Sequence, residues 1–267
     1  MYIDSHCHLN LMVKKDFDLP LKSEDFSKVS LLIENAVSAG VEKIINVGTS
    51  LVESINTVEI AKQFEQVFAV VGIHPCDAKE TWKKDLGEIK KLIKDKEFNK
   101  IVGIGEIGLD FYHKPFNKQR QIDAFKAQIE LALENSLPIV VHVRSAVDEV
   151  IKVLEEYALE VKGVNHCFQH ERYVADAFLG WGFFLGINAP ITYPKNEQFR
   201  ELLKDLPIES LFLETDAPFL PPQEFRGKQN HPKYIPLIAQ ALADIKGIPL
   251  DDVADITTSN VESLFFI

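Results

Sequence analysis

Short runs of β-branched and other apolar residues alternate along this chain with amphipathic stretches, and the alternation repeats eight times. The runs are Tyr2–Asp4, Lys43–Val47, Val67–Ile73, Ile101–Ile107, Pro138–Val143, Val161–His166, Phe183–Asn188 and Leu211–Thr215. Between them, Ile122, Phe125, Ile129, Ala132 and Leu133 recur at helical spacing and predict one buried stripe. Ser50 with Glu53, and Ser259 with Glu262, have the spacing of capping boxes, and Ser145 with Asp148 predicts another helix start. Gly40 stands where a helix would end on a left-handed residue. Strands separated by long helical patterns pair in parallel through crossovers. Eight such units predict an α/β protein of the (β/α)₈ TIM-barrel type, a single domain over residues 1–267. An open doubly wound sheet is the alternative. It is disfavoured because the first run ends in His-Cys-His rather than in a glycine-rich phosphate turn.

Composition narrows the setting. The 267 residues are 46% hydrophobic and 26% charged, enough for one buried core. The longest apolar stretch, Phe178–Ile187, is broken by Gly180 and Gly182 and falls short of the roughly 20 residues that a spanning helix needs. No membrane association is expected. The start of the chain has no basic segment leading into an apolar one, so it gives no sign of secretion. Cys7, Cys76 and Cys167 form no CxxC pair, which fits a reduced, cytoplasmic location. The net charge is −11 and there is no basic tail. Lys83, Lys84, Lys90, Lys91 and Lys94 read as the solvated face of one helix. Any grip on nucleic acid must therefore be local.

Metal-competent side chains gather where the strands are expected to end. His6 and His8 follow the first run, His74 the third, Glu106 the fourth, His142 the fifth, His166 the sixth and Asp216 the eighth. In a (β/α)₈ barrel that rim is where active sites are built. Any one of these histidines could be a hydrogen-bonded rim residue; the whole set at corresponding positions points to a metal site. Strand alternation lets His6 and His8 converge while Cys7 points into the wall, and it displaces Cys167 from His166 in the same way. Imidazoles and carboxylates without thiolate suit Zn²⁺, Mn²⁺ or a similar divalent ion. His6, His8, His142, His166, Glu106 and Asp216 are too many donors for one open ion and enough for two if a carboxylate bridges.

Several segments resemble the TatD family of metal-dependent deoxyribonucleases, within the amidohydrolase-like barrels. They are Asp4-Ser-His-Cys-His-Leu9, Gly72-Ile-His-Pro75, Gly103-Ile-Gly-Glu-Ile-Gly-Leu-Asp110, His142-Val-Arg-Ser-Ala146 and Asn165-His-Cys-Phe168. Glu214-Thr-Asp-Ala-Pro-Phe-Leu220, Arg226-Gly-Lys-Gln-Asn-His-Pro232 and the closing Thr257-Thr-Ser-Asn260 complete the set. The resemblance implies that His6, His8 and Asp216 hold one metal ion, that His142 and His166 hold a second, and that Glu106 is shared. It implies catalytic roles for Glu106 and Asp216, with Asp216 orienting a water and taking its proton. It also places His74, Arg144, Arg226 and Asn230 near substrate phosphate. The expected partner is DNA, as a single strand or an end, with no obligate protein partner. Two departures from the family pattern, Cys76 after His-Pro and Gln169-His170 after His-Cys-Phe, change the rim and not the donors. Phe111 and Tyr112 could stack on a base or simply pack. Hydrolysis of a small amide, lactone or ester by the same donors is the rival chemistry, and a barrel that only binds is a third possibility.

Overall fold

The computed structural model describes residues 1–14, 16–157 and 159–267. Eight parallel strands stand in the order β1 to β8, each neighbouring the next in sequence. They are β1 (Tyr2–Cys7), β2 (Val41–Val47), β3 (Val67–Val71) and β4 (Ile101–Asp110). The others are β5 (Ile139–Arg144), β6 (Gly163–Asn165), β7 (Phe184–Ile187) and β8 (Leu211–Leu213). Helices α1 (Leu9–Met12) and α2 (Ser23–Ser38) precede β2; α3 (Leu51–Gln63), α4 (Trp82–Ile93) and α5 (Lys118–Glu134) follow β2, β3 and β4. Helices α6 (Val147–Glu155), α7 (Arg172–Gly180) and α8 (Glu197–Asp205) make the next crossovers, and α9 (Ile235–Lys246) and α10 (Leu250–Phe265) close the chain.

A sequential strand order excludes the doubly wound alternative, whose sheet reverses direction at a switch point. Between β8 and β1 the barrel is drawn together by an isolated bridge, Cys7 to Ala217, and by the amide of Asp216 donating to the His6 carbonyl at 2.9 Å. Asp4 reinforces this seam. Its carboxylate accepts from the Thr215 amide at 2.9 Å and from the Thr215 hydroxyl at 2.6 Å.

Alternation along the strands builds two packed layers. Ile44, Ala69, Ile139, Val141 and Leu211 face the helices, while Ile45, Val70, Val140, Val164 and Phe212 fill the barrel interior. Val261, Leu264 and Phe265 at the end of α10 pack on that interior set and plug one end. The expected α5 stripe is present, with Phe125, Ile129 and Ala132 buried. The five lysines on and after α4 are exposed.

The helix-start readings fare unevenly. Ser50 accepts from the Glu53 amide at 3.2 Å, but the Glu53 carboxylate does not return the contact. It takes Asn10 Nδ2 at 2.8 Å, Lys14 Nζ at 2.7 Å and the Asp18 amide at 2.7 Å, tying the loop after α1 to α3. Ser145 is not a cap: it adopts φ 54°, and α6 starts after Ala146 without a side-chain cap. Ser259 and Glu262 fall inside α10. Gly40, at φ 87°, is the left-handed residue expected after α2.

Candidate metal centre

Interior strand positions lead directly to the site. Val140, Val164 and Phe212 point into the barrel, so two residues on, His142, His166 and Glu214 stand above them on the same face. β1 brings His6 inward, with His8 just past its end, and a register shift in β4 near Glu106 turns that carboxylate toward them. Asp216 lies three residues beyond β8 at φ 56°, an uncommon backbone for a residue with a Cβ and one that recurs at functional sites. Of these side chains, His8, Glu106, His142, His166 and Asp216 form the floor of a cavity of about 730 Å³ that Arg144, Phe17 and Phe219 also line.

Glu106 is the centre of the arrangement. Its Oε2 lies 3.6 Å from His6 Nε2 and 3.8 Å from His8 Nε2. Its Oε1 lies 2.7 Å from His142 Nδ1 and 3.2 Å from His166 Nε2. Asp216 Oδ1 is 3.4 Å from His8 Nε2 and 3.8 Å from His6 Nε2. The two Nε2 atoms are themselves 3.2 Å apart, the spacing of donors around one small ion. His6 Nδ1 is buried without a hydrogen-bond partner, and so is one oxygen of Glu214. Such a set of inward-facing nitrogens and carboxylates fits divalent cations. Three overlapping groups, His6-His8-Asp216, His6-Glu106-His166 and His74-Glu106-His142, could each hold one.

The rings are oriented from behind, as metal-binding imidazoles require. His8 donates from Nδ1 to the Val47 carbonyl at 2.8 Å, which makes Nε2 the nitrogen turned toward the cavity. His166 donates from Nδ1 to Glu214 at 3.1 Å, and Glu214 also takes the Cys167 amide at 2.7 Å. His142 turns Nε2 toward Asp110 at 3.3 Å. Glu214 fits only because residue 186 is glycine: a Cβ there would lie 2.2 Å from its Oε2. Replacing Glu214 with glutamine should weaken metal binding by about 10–100-fold while leaving the fold intact. A chelator competition titration measures this, and unchanged affinity would show that Glu214 does not orient His166.

His74 behaves differently from the other histidines. Its Nδ1 accepts the Cys76 amide at 3.1 Å, so the neutral ring carries its proton on Nε2, 3.6 Å from Glu106. Burial, aided by His142, pushes its pKa down to about 3, so the ring stays neutral. In this form it presents an N–H donor to the cavity. Burial would push the Glu106 carboxyl up, but the surrounding histidines outweigh it and hold it well below the usual range.

The remaining expectations divide. Arg144 lines the cavity, with its guanidinium 4.2 Å from the Tyr112 ring centroid, and Tyr112 is exposed. Phe111 stacks on Phe116 and packs against the core. Arg226 lies over Tyr193 at 4.6 Å and is not among the described residues lining the cavity. Asn230 does not reach the site. It is fully buried, and its Nδ2 donates to the carbonyls of Thr215 at 2.7 Å and Phe219 at 2.6 Å, which latches the loop after β8. Cys7 packs in the wall as alternation requires, whereas Cys167 does not. β6 ends at Asn165, and Cys167 follows in a turn at φ 50°, half-exposed at the rim. Glu214 and Asp110 went without a role in the sequence reading. Their only signal is a buried acid on the same strand face as a ligand.

The comparisons with known proteins agree with this geometry. The family described as TatD-related DNase matches residues 3–266. A Bacillus subtilis protein called the uncharacterized metal-dependent hydrolase YabD is 35% identical over 268 residues, covering all of both chains. The 3′-5′ ssDNA/RNA exonuclease TatD of Citrobacter rodentium is 33% identical over 259 residues, 94% of this chain and 97% of that protein. The crystal structure of YjjV, a TatD homologue from Escherichia coli, superposes with a TM-score of 0.88 at 29% identity and covers all of this chain and 98% of its own. Among the described residues no helix is long and apolar enough to cross a membrane. This chain belongs to the TatD-related DNase family and is a metal-dependent hydrolase.

Proposed function

We propose that this hydrolase cleaves phosphodiester bonds of DNA, taking a single strand or a strand end, with two divalent ions in the cavity floor. The observation that carries this is the division of Glu106: one oxygen faces His6 and His8, the other His142 and His166. His6, His8 and Asp216 would hold one ion, His142 and His166 the other, with Glu106 common to both. When bound, such a pair supplies a nucleophile from water at neutral pH and takes up charge on both sides of an in-line displacement.

The protein's own groups do the rest. Asp216, held ionised by His8, His166 and His6 against the effect of burial, orients the attacking water and accepts its proton. His74 offers its Nε2–H, and Arg144 its guanidinium, to phosphate oxygens as negative charge builds. The Arg144 guanidinium rests against the Tyr112 ring. The relative named as a ssDNA/RNA exonuclease supports a nucleic-acid substrate over a small amide or ester.

The test is an assay on end-labelled single-stranded DNA after reconstitution with Zn²⁺, Mn²⁺ or Mg²⁺, run beside a panel of carboxylic esters and amides. Cleavage of the panel without cleavage of DNA would overturn the proposal. Affinity for DNA should also depend weakly on salt. Among the described residues lining the cavity, Arg144 is the single lysine or arginine, and the chain carries −11 overall. A catalytically impaired Asp216→Asn variant should give a log–log slope of about −1 to −2 against salt. A slope steeper than about −4 would require an extended basic groove.

A further inference from the structure

We propose that Cys76, Asp110 and His113 form an additional divalent-cation site at the mouth of the cavity, one that selects zinc-class ions. One donor atom from each residue lies within 4.8 Å of the other two, and two separate segments supply them. Cys76 lies in the short turn Pro75–Asp77 after β3, Asp110 ends β4, and His113 stands in the loop beyond it.

Asp110 is built as an anchor. Its backbone is pinned by Gln121, which accepts the Asp110 amide at 2.9 Å and donates to the Asp110 carbonyl at 2.9 Å. Its Oδ1 accepts the amides of Tyr112 and His113, each at 2.9 Å. Oδ2 is left to face His113 Nδ1 at 2.8 Å and His142 Nε2 at 3.3 Å. The carboxylate is therefore fixed in plane and position before any ion arrives, although no backbone contact needs Oδ2. The turn carrying Cys76 is held as well, by the bond from its amide to His74.

The donor chemistry sets this place apart from the cavity floor. The floor offers only imidazole and carboxylate, which Mg²⁺, Mn²⁺ and Zn²⁺ can all use to different degrees. Sulfur, nitrogen and oxygen together favour a borderline ion such as Zn²⁺ and discriminate against Mg²⁺ and Mn²⁺. Three protein donors leave a tetrahedral ion with an open position. Cys76 and His113 line the same cavity as Arg144, so that position faces whatever enters the mouth. His142 connects the two places, with Nε2 toward Asp110 and Nδ1 toward Glu106.

Cobalt serves as the probe, because a thiolate bound to Co²⁺ adds a charge-transfer band in the near ultraviolet. The full chain loaded with Co²⁺ should show the band. Cys76→Ser should lose it, and Cys7→Ser and Cys167→Ser should keep it. Both Cys76 and His113 are exposed, so Cys76→Ser and His113→Ala should fold normally, which circular dichroism checks. In Zn²⁺ each variant should bind about one equivalent per chain fewer than the wild type, and in Mn²⁺ the same number. A saturated wild type without the band, a band that survives Cys76→Ser, or equal zinc counts in folded variants would overturn the site. These readouts need no turnover, so they stand or fall separately from the nuclease proposal.

Discussion

Replacing Glu106 with alanine is expected to cut hydrolysis by on the order of 10³ or more, beyond the loss from any single histidine. The reason is the geometry of one side chain. A histidine serves one ion, whereas Glu106 presents Oε2 to the His6 and His8 pair at 3.6 and 3.8 Å and Oε1 to His142 at 2.7 Å. Removing it should lower Mn²⁺ content to below two equivalents per chain at concentrations that saturate the wild type. It also strips buried histidines of the carboxylate that favours their charge, so some stability should be lost with it. Glu106→Gln separates the two effects: it keeps the volume and removes the charge. A thermal melt of each variant beside its metal content decides which loss causes the defect. Full activity in a folded Glu106→Ala protein would eliminate the two-ion arrangement.

The residues that converge around Glu106 were legible in the sequence, and the groups behind them were not. His6, His8, Glu106, His142, His166 and Asp216 announce themselves because metal-competent side chains at successive strand ends form a pattern. Glu214 and Asp110 look the same as ligands in a string of letters. Only three-dimensional placement shows Glu214 behind His166 and Asp110 behind His142. Asn230 errs the other way. Its segment suggests the rim, yet its amide is consumed by the carbonyls of the loop it secures. Strand limits were blurred for a related reason. β1 runs on past Asp4 through His6 to Cys7, because polar residues fill the barrel interior near the site and end an apolar run early, and β4 runs on past Ile107 to Asp110. The Ser259–Glu262 spacing misled because a capping box is a local pattern and α10 already begins at Leu250, just after Pro249.

Metal affinity should rise steeply with pH, by about 10²–10³ per unit across the range where two or three histidines lose their protons on binding. The sign follows from which groups hold protons in the metal-free cavity. Burial opposes the charged form of His8, but Asp216 and Glu106 outweigh it and raise its pKa. His142 is raised against burial by Asp110 and Glu106, and His166 is raised well above the ordinary value by Glu106 and Glu214. Each must give up a proton to act as a ligand. His6 and His74, pushed down by burial, have no proton to displace, and Glu106 and Asp216 are already ionised. Acid therefore competes with the metal. Alkali removes the competitor until the highest of the raised values is passed, and there the affinity levels off. Stability without metal runs the other way for these three histidines. Their raised pKa values stabilise the fold fully below about 6.5, and that contribution fades as the pH climbs through the folded-state values. His6 and His74 oppose this, since their lowered values cost stability as the pH falls below the same point. The stabilisation given by metal, the difference in melting temperature with and without it, should accordingly widen from about pH 6 to pH 8. Chelator competition across that range gives the affinity, and calorimetry in two buffers of different ionisation enthalpy counts the protons released. A flat affinity with no proton release would mean that these histidines are already neutral in the empty cavity, and that the carboxylates around them do not hold protons in place of the metal.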